Sequence, residues 1–260
     1  MKKRIDILLV EGGFVESRIK AQWLIKNGYV LVNRNKIIKP SKRIENSLEI
    51  QLIRDFPYIG RGGFKLEAAL RKFSISVKGK ICADIGASIG GFTDCLIKNG
   101  AAKVYAIDIA TDFIHPLLRN ENMKKKIITI LGVDARNLIH IDEFVDLCTV
   151  DLTFTSLREV LPNVRDLLRK NGDIIVLVKP IFEIEFHNKK KFDVIKDPHQ
   201  LFQILRDLFQ WNLQNHFYPV DIIKSPIEGK GGSIEFLIHL KIKKFDVNLD
   251  YTRMIRDILL

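Results

Sequence analysis

Apolar positions follow two different rhythms along the chain, and the change between them divides it. Over roughly residues 4–53 the rhythm is short and mixed. Ile5, Leu8 and Leu9, then Ile19, Trp23 and Leu24, recur at three- and four-residue spacing, which predicts two short amphipathic helices. Glu16 and Ser17 stand just ahead of the second helix, where capping and the helix dipole favour them. Gly28 supplies a stop behind it. Tyr29–Ile38 reads as two strand-like runs around a polar turn, and Leu48–Leu52 alternates as a further strand. The residues from Arg54 to Tyr58 read as a linker. The organisation predicted is a small α+β domain at 1–54, a linker at 55–60 and a larger domain at 61–260.

In the larger region short apolar runs alternate with helical patterns. Ile81–Ile85, Val104–Asp108, Ile127–Leu131, Leu147–Asp151 and Ile174–Val178 have the composition of strands buried on both faces. Between them lie Gly91–Lys98, ended by Gly100, and a helix starting at Ser156 with Glu159 three residues on as a capping box. Asp197-Pro198 opens a third helix, with Leu201, Ile204, Leu205 and Leu208 on one face. Two strand-like runs, Phe217–Lys224 and Ser233–Lys241, follow around a Gly-rich loop. This alternation predicts an α/β fold: a doubly wound parallel sheet closed by an antiparallel pair at one edge. Phe245–Leu260 reads as an extra terminal helix.

Charge sharpens the division. The net charge is +11, and residues 1–54 hold twelve Lys or Arg against five Asp or Glu. An excess of this kind suits a polyanion, because each phosphate neutralised releases counterions, although a merely soluble basic surface has the same composition. The longest apolar stretches fall far short of the roughly 20 residues of a membrane helix. Met-Lys-Lys-Arg-Ile-Asp has the charge of a signal peptide but no apolar block behind it, so the sequence predicts a cytosolic protein. Cys82, Cys95 and Cys148 form no CxxC pair and sit among apolar residues, the setting of buried reduced thiols.

Candidate chemistry begins where the first strand of the larger region runs into Asp84-Ile85-Gly86-Ala87-Ser88-Ile89-Gly90-Gly91-Phe92-Thr93. Glycines there let the chain turn sharply and bring a ligand against backbone ahead of a helix. Asp108 ends the next strand, where a carboxylate can grip two ribose hydroxyls, as it also does in nicotinamide-binding enzymes. The spacing is not GxGxxG, however, and an acid stands ahead of the glycines. Such an acid would repel a pyrophosphate and suit an ammonium. S-adenosyl-L-methionine carries both an amino acid and a ribose, and the pattern suits it better than a dinucleotide. Asp134, past the third strand with Ala135 beside it, either reaches an adenine amino group or caps the following helix.

Four charged residues fall where such a sheet presents them to its ligand crevice. Lys65 lies in Arg61-Gly62-Gly63-Phe64-Lys65, Asp151 ends the fourth strand, Lys179 ends the fifth, and Glu235 enters the last. The order Lys-Asp-Lys-Glu resembles the tetrad of the FtsJ-like ribose 2′-O-methyltransferases. The first fifty residues resemble the small RNA-binding domain first described in ribosomal small-subunit protein four. Together with the phrases GRGGFKLEAAL, DIGASIGGFTDCL, DLTFTSL, VLVKPIFE and SPIEGKGGSIEFL, these make the chain similar to the TlyA family over nearly its whole length.

That resemblance implies a Rossmann-like class I methyltransferase domain acting on cytidine riboses of ribosomal RNA within ribosomal subunits. No metal and no protein partner is implied. The cofactor site would comprise Asp84, Gly86, Ala87, Ser88, Gly90, Gly91, Phe92, Thr93, Asp108, Asp134, Ala135 and Asp151. Lys179 would be the base or would steer the hydroxyl, beside Asp151, with Lys65 and Glu235 completing the network. A lysine serves as base when burial and a neighbouring cation lower its pKa. Arg4, Arg18, Lys20, Lys26, Arg34, Lys42 and Arg61 would contact RNA.

The sequence departs from the family at four places. Gly60 stands for Ser, Ile89 for Thr, Asp134 for Asn, and Asn188–Asp193 replaces a Gly-Lys-Gly-Gly stretch. These bear on loop conformation and on which RNA sites are accepted. Three other readings compete: a membrane-active haemolysin, a name some family members carry, an RNA-binding protein with an inactive methyltransferase fold, and a base methyltransferase, for which none of the three Cys sits in a suitable motif.

Overall fold

The computed structural model describes residues 2–45, 49–53, 57–112, 114–137, 139–184, 194–244 and 249–260. The chain divides into two units, Met1–Ile59 and Gly60–Leu260.

In the first unit β1 (Lys2–Arg4) pairs antiparallel with β4 (Arg43–Glu45), and α1 (Ile5–Glu11) follows β1 without a break. After α2 (Arg18–Lys26), a second sheet has the order β3-β2-β5, formed by β2 (Val30–Val32), β3 (Asn35–Ile37) and β5 (Ile50–Leu52). Ser17 caps α2 by accepting from Lys20 N. The β2–β3 turn places Asn33 and Arg34 at positive φ, the backbone a two-residue hairpin turn requires. The core gathers Ile5, Leu9, Leu24, Ile25, Val30 and Ile44. Each such aliphatic side chain contributes about 1.5–3 kcal/mol by leaving water.

Two expectations change here. The buried face of α2 is Ala21, Leu24 and Ile25, whereas Ile19 is 47% exposed. The spacing of large side chains points to the wrong stripe because the residue that fits closest to the core is a small one. The β1–β4 pair was not expected either, since three-residue strands rich in Lys, Arg and Glu carry almost no apolar alternation. Leu48 and Arg54–Phe56 lie outside the described residues.

The second unit opens with α3 (Gly62–Lys72), then alternates β6 (Ile81–Ile85), α4 (Gly91–Lys98), β7 (Lys103–Asp108), α5 (Glu121–Lys124) and β8 (Ile127–Leu131). It continues with β9 (Val145–Val150), α6 (Leu157–Asp166), β10 (Leu168–Val178), α7 (Pro180–Glu183), α8 (Pro198–Gln214), β11 (Tyr218–Lys224), β12 (Phe236–Lys241) and α9 (Tyr251–Leu259). The sheet order is β11-β12-β10-β9-β6-β7-β8. Only β12 runs against the rest, pairing antiparallel with both β10 and β11. The antiparallel pair expected at the edge is thus present, with β12 as its inner member.

The chain leaves β6 in one direction through β7 and β8, then returns to β9 on the other side of β6. The crevice beyond the C-terminal ends of β6 and β9 is therefore a topological switch point, where open α/β sheets take their ligands. Ile85, Val150, Val176 and Val178 are fully buried beneath it.

Helix starts follow the sequence with one exception. Asp197 caps α8 through Gln200 N at 2.9 Å. Ser156 caps α6 through Arg158 N, but Glu159 does not close the capping box. Its carboxylate accepts instead from Thr155 Oγ1 at 3.3 Å. The terminal helix α9 packs on α8 and β11, burying Ile255 and setting Tyr251 edge-on to Phe209.

Candidate functional site

The loop after β6 is held by backbone. Gly86 N and Ala87 N both donate to Ile107 O, and Gly86 adopts φ +83°. A Cβ there would run into the carbonyl oxygen of Asp151, so glycine alone allows the two strand ends to meet. Asp151 N donates to Ile85 O at 2.9 Å, which ties the end of β9 to that of β6.

Gly86 lines two cavities. One, of about 190 Å³, is bounded by Gly60, Arg61, Lys65, Ser88, Ile89 and Asp151, with Ala87, Gly91 and Phe92 behind them. The other, of about 270 Å³, lies over Asp108, Ile109, Val133, Asp134, Ala135 and Leu152. Asp108 accepts from Ser88 N at 2.7 Å and from Ala110 N at 2.8 Å, so its carboxylate joins the loops after β6 and β7. A carboxylate has roughly four lone-pair sites, which leaves acceptor capacity towards the cavity.

Two acids are placed otherwise than expected. Asp84 is fully buried and lines neither cavity. Thr93 Oγ1 donates to it at 2.6 Å and Thr149 Oγ1 at 2.9 Å. Burial pushes its carboxyl up to about 7, against the opposing effect of the two hydroxyls. Thr93 is likewise buried and acts on Asp84. The pair thus supports the loop from behind, because β6 turns that side chain into the core. Asp134 heads a turn and caps no helix: its carboxylate accepts from Arg136 N at 2.9 Å and binds the Arg136 guanidinium, with a closest contact of 2.6 Å. That guanidinium holds Asp134 below the usual carboxylate range.

The four charged residues do come together, as two ion pairs. Lys65 Nζ lies 2.5 Å from Glu235 Oε2, and Lys179 Nζ lies 2.5 Å from Asp151 Oδ1. Lys179 Nζ also donates to Leu152 O at 2.9 Å. Each lysine therefore faces an acid, with Asp151 beside Lys179 and Glu235 beside Lys65. Lys65, Lys179 and Glu235 line a third cavity, of about 830 Å³, and Lys65 and Arg61 border it and the 190 Å³ cavity alike. Arg61, expected to contact RNA, thus lies at the boundary of these two cavities.

Three features in or behind this cavity have no signal in the sequence pattern. A Cβ at Gly229 would collide with the Glu235 carboxylate, so the loop between β11 and β12 closes directly over that acid. Phe154 holds φ +68° with 75% of its surface exposed, and its ring meets Phe182 with centroids 5.5 Å apart. A bulky residue in that backbone region is strained, and such strain gathers at functional sites. Glu183, 5% exposed, accepts from Ser156 Oγ at 2.7 Å, Leu157 N at 2.8 Å and Arg158 Nη1 at 3.1 Å. It thereby joins the segment after Lys179 to the segment after Asp151. Burial pushes its carboxyl above the usual range. A glutamate in VKPIFE carries no spacing signal that could have revealed this.

In the first unit Arg4 and Arg18 share one acid, Asp6, while Lys20 is committed to Glu16 at 2.5 Å. Lys26 and Arg34 are exposed, and Lys42 lines a groove of about 470 Å³ with Lys2, Asn33, Asn35 and Arg43. Cys82, Cys95 and Cys148 are buried and unpaired with one another, and burial pushes the Cys82 thiol up to about 12. The lysine run at 189–191 lies outside the described residues.

Residues 58–242 match the FtsJ-like methyltransferase family and residues 3–50 match the S4 domain. The chain is 36% identical to Hemolysin A of Brachyspira hyodysenteriae over 239 residues, covering 92% of this chain and 100% of that one. It is 32% identical to the 16S/23S rRNA (cytidine-2′-O)-methyltransferase TlyA of Mycobacterium tuberculosis over 244 residues, covering 92% and 90%. A solved structure from Streptococcus thermophilus with hemolysin in its title superposes with a TM-score of 0.72 at 30% identity, covering 99% of this chain and 94% of that one.

Proposed function

Because the chain belongs to the FtsJ-like methyltransferase family, within its TlyA group and with an S4 domain ahead of the catalytic fold, we propose that it methylates ribose 2′-hydroxyls of ribosomal RNA, with S-adenosylmethionine as methyl donor. The observation that carries this reading is the doubled ion pair, Lys65–Glu235 and Lys179–Asp151, around a cavity that begins at the cofactor loop.

The residues fit the cofactor. Asp108 keeps acceptor capacity for two ribose hydroxyls, apolar Ile109, Val133 and Leu152 offer surface to a purine, and the glycine loop leaves backbone exposed beside Ser88. Ala135 lines the purine end, Asp134 is held there by Arg136, and Asp84 and Thr93 brace the loop. S-adenosylmethionine supplies an electrophilic methyl group on a sulfonium.

The protein's task is then to aim a weak nucleophile. Lys179 Nζ orients the incoming hydroxyl oxygen, and Asp151 Oδ1 stands 2.5 Å behind it to share the proton the hydroxyl gives up. Lys65, fixed by Glu235, borders both cavities and holds the acceptor ribose against the cofactor side. Most of the remaining acceleration comes from holding oxygen, carbon and sulfur in line. Phe154 presents a ring face on which an unstacked base can lie. The S4 domain supplies the cationic surface that holds folded RNA, with Lys26, Arg34 and Lys42 at its exposed positions.

The test is to incubate ribosomal subunits from a strain lacking the enzyme with this protein and methyl-labelled S-adenosylmethionine. Label is expected on a ribose 2′-oxygen, with cytidine the first nucleoside to examine. Label on a base would overturn the mechanism, and absence of cofactor binding would favour an inactive RNA-binding protein. The haemolysin reading draws on relatives' names; among the described residues no helix is long and apolar enough to cross a membrane. Liposome lysis unaffected by Lys179→Ala would restore it.

A further inference from the structure

Among the described residues of the N-terminal unit one acid is fully buried, and it faces three side-chain donors. Asp6 sits in the first turn of α1 with no exposed surface. Arg4 Nε donates to its Oδ1 at 2.9 Å and Arg4 Nη2 to its Oδ2 at 2.9 Å, a two-pronged contact. Arg18 Nη2 donates to Oδ2 at 3.1 Å from the start of α2, and Gln22 Nε2 donates to the same oxygen at 2.9 Å from the next turn. Bonding with Arg4, above all, holds the Asp6 carboxyl far below the usual carboxylate range, so it stays ionised.

Both arginines nevertheless reach solvent, with side chains 36% and 53% exposed. A guanidinium carries five N–H groups in a rigid plane. Arg4 commits two of them to Asp6 and Arg18 commits one, so each retains a fan of donors pointing away from the shared acid. Two adjacent guanidiniums on flexible stems would repel one another and lose rotamer entropy when a ligand fixed them. The shared carboxylate removes the repulsion and fixes both planes beforehand. What remains outward is a preset fork with a surplus of one positive charge.

We propose that Asp6 is a positioning residue for RNA: it sets Arg4 and Arg18 side by side as a ready-made seat for a backbone phosphate. The proposal rests on the RNA-binding reading of this unit. The alternative is an acid that merely staples β1, α1 and α2 together.

The two accounts separate by sign. Asp6→Asn removes a negative charge beside two arginines, so charge alone predicts tighter binding to every polyanion. Loss of positioning predicts weaker binding to folded ribosomal RNA. Binding of the full-length protein is measured with purified small- and large-subunit ribosomal RNA and, as an unstructured polyanion, with poly(U), across a salt series. The expected result for Asp6→Asn is roughly tenfold weaker ribosomal RNA binding, with poly(U) binding unchanged or tighter, at a melting temperature near that of the parent. Ribosomal RNA binding as tight as the parent's would overturn it.

Should Asp6→Asn fail to fold, Arg4→Lys with Arg18→Lys decides. It keeps both charges but loses the forks, and is expected to weaken ribosomal RNA binding without flattening the salt dependence. Unchanged affinity in that variant would also overturn the proposal. The underlying reading fails separately: if Arg4→Ala and Arg18→Ala leave ribosomal RNA affinity intact, this unit does not hold RNA through them at all.

Discussion

Two sites, one in each unit, bring lysines or arginines against acids in different proportions. In the N-terminal unit one buried carboxylate, Asp6, serves two arginines that remain partly exposed. In the methyltransferase unit Glu235 serves Lys65 and Asp151 serves Lys179, one to one, with side chains 4–24% exposed. The difference tracks the task of each. A surface for a polyanion gains from surplus positive charge held in a fixed geometry, and exposure is where a phosphate can reach it. A crevice proposed to receive a neutral hydroxyl and a sulfonium gains nothing from surplus. An unpaired cation there would repel the sulfonium, and a single buried ion without its partner costs several kcal/mol.

The hardest way to break the one-to-one arrangement is to delete a lysine from it. Lys179→Ala leaves Asp151 without its cation and the hydroxyl without its guide. Methyl transfer to ribosomal subunits should fall by about 10²–10⁴, the range of a lost proton-transfer group. Cofactor binding by calorimetry should change little, because Lys179 lines the 830 Å³ cavity and neither of the two beside Gly86. Parallel losses of cofactor affinity and rate would move Lys179 out of the catalytic step.

A third carboxylate tests whether the pairs need outside support. Glu183 touches no cavity-lining charge, yet it joins the two segments that carry Lys179 and Asp151. Glu183→Gln keeps its size and gives up its charge to Arg158. We expect kcat to drop by about tenfold while KM for cofactor stays within twofold, an effect near 1.4 kcal/mol on the barrier. A variant that instead loses kcat, cofactor binding and melting temperature together would mark Glu183 as structural only.

These two residues also show what the chain discloses by itself. Lys179 was legible because buried parallel strands are continuous apolar runs, and a charged residue ending one stands out at a known edge of the sheet. The same logic located Asp151, and the sheet itself followed from alternating runs and glycine stops. Glu183 and Asp6 were illegible for a common reason. Glu183 gains its role from partners 25–27 residues away, and Asp6, beyond its near neighbour Arg4, from partners 12–16 residues away; these meet only after folding, and no period or motif records such a meeting. Asp84 was located correctly in the chain, but its side-chain direction depended on the pleat of β6, which turned an expected ligand contact into a buried support.

Asp84 sharpens the comparison further, since among the described residues it is an acid of the second unit with hydroxyls for partners and no cation. A proton takes the cation's place, its carboxyl being pushed up to about 7 by burial. The folded state then holds a proton between about pH 4, where an unfolded aspartate titrates, and about pH 7. Folding binds a proton across that window, so stability conferred on this unit should decline as pH rises from about 4 to about 7 and level off above it. Asp84→Asn should flatten this decline. The check is denaturant unfolding of the full chain at several pH values: identical slopes for parent and variant would show that Asp84 is ionised throughout.

The smallest effect concerns two positions that carry no charge at all. Gly60 and Ile89, where the family resemblance leads one to expect Ser and Thr, bound the same 190 Å³ cavity. A Cβ at Gly60 would lie 3.0 Å from Ile89 Cδ1 and 3.3 Å from Cγ1, closer than a relaxed contact. The neighbour is the end of a flexible side chain, 42% exposed, so it can move aside at modest cost. Gly60→Ser alone should therefore weaken cofactor binding by no more than about twofold, within the roughly 0.5 kcal/mol typical of a surface change. Adding Ile89→Thr removes the crowding, and the double variant should recover the parent's affinity, with a coupling near 0.5 kcal/mol in a double-mutant cycle. Additive losses would mean that the two departures arose independently of each other's shape. Coupled ones would mean that this end of the cavity, unlike the charged pairs beside it, was rebuilt by exchanging one fit of side chains for another.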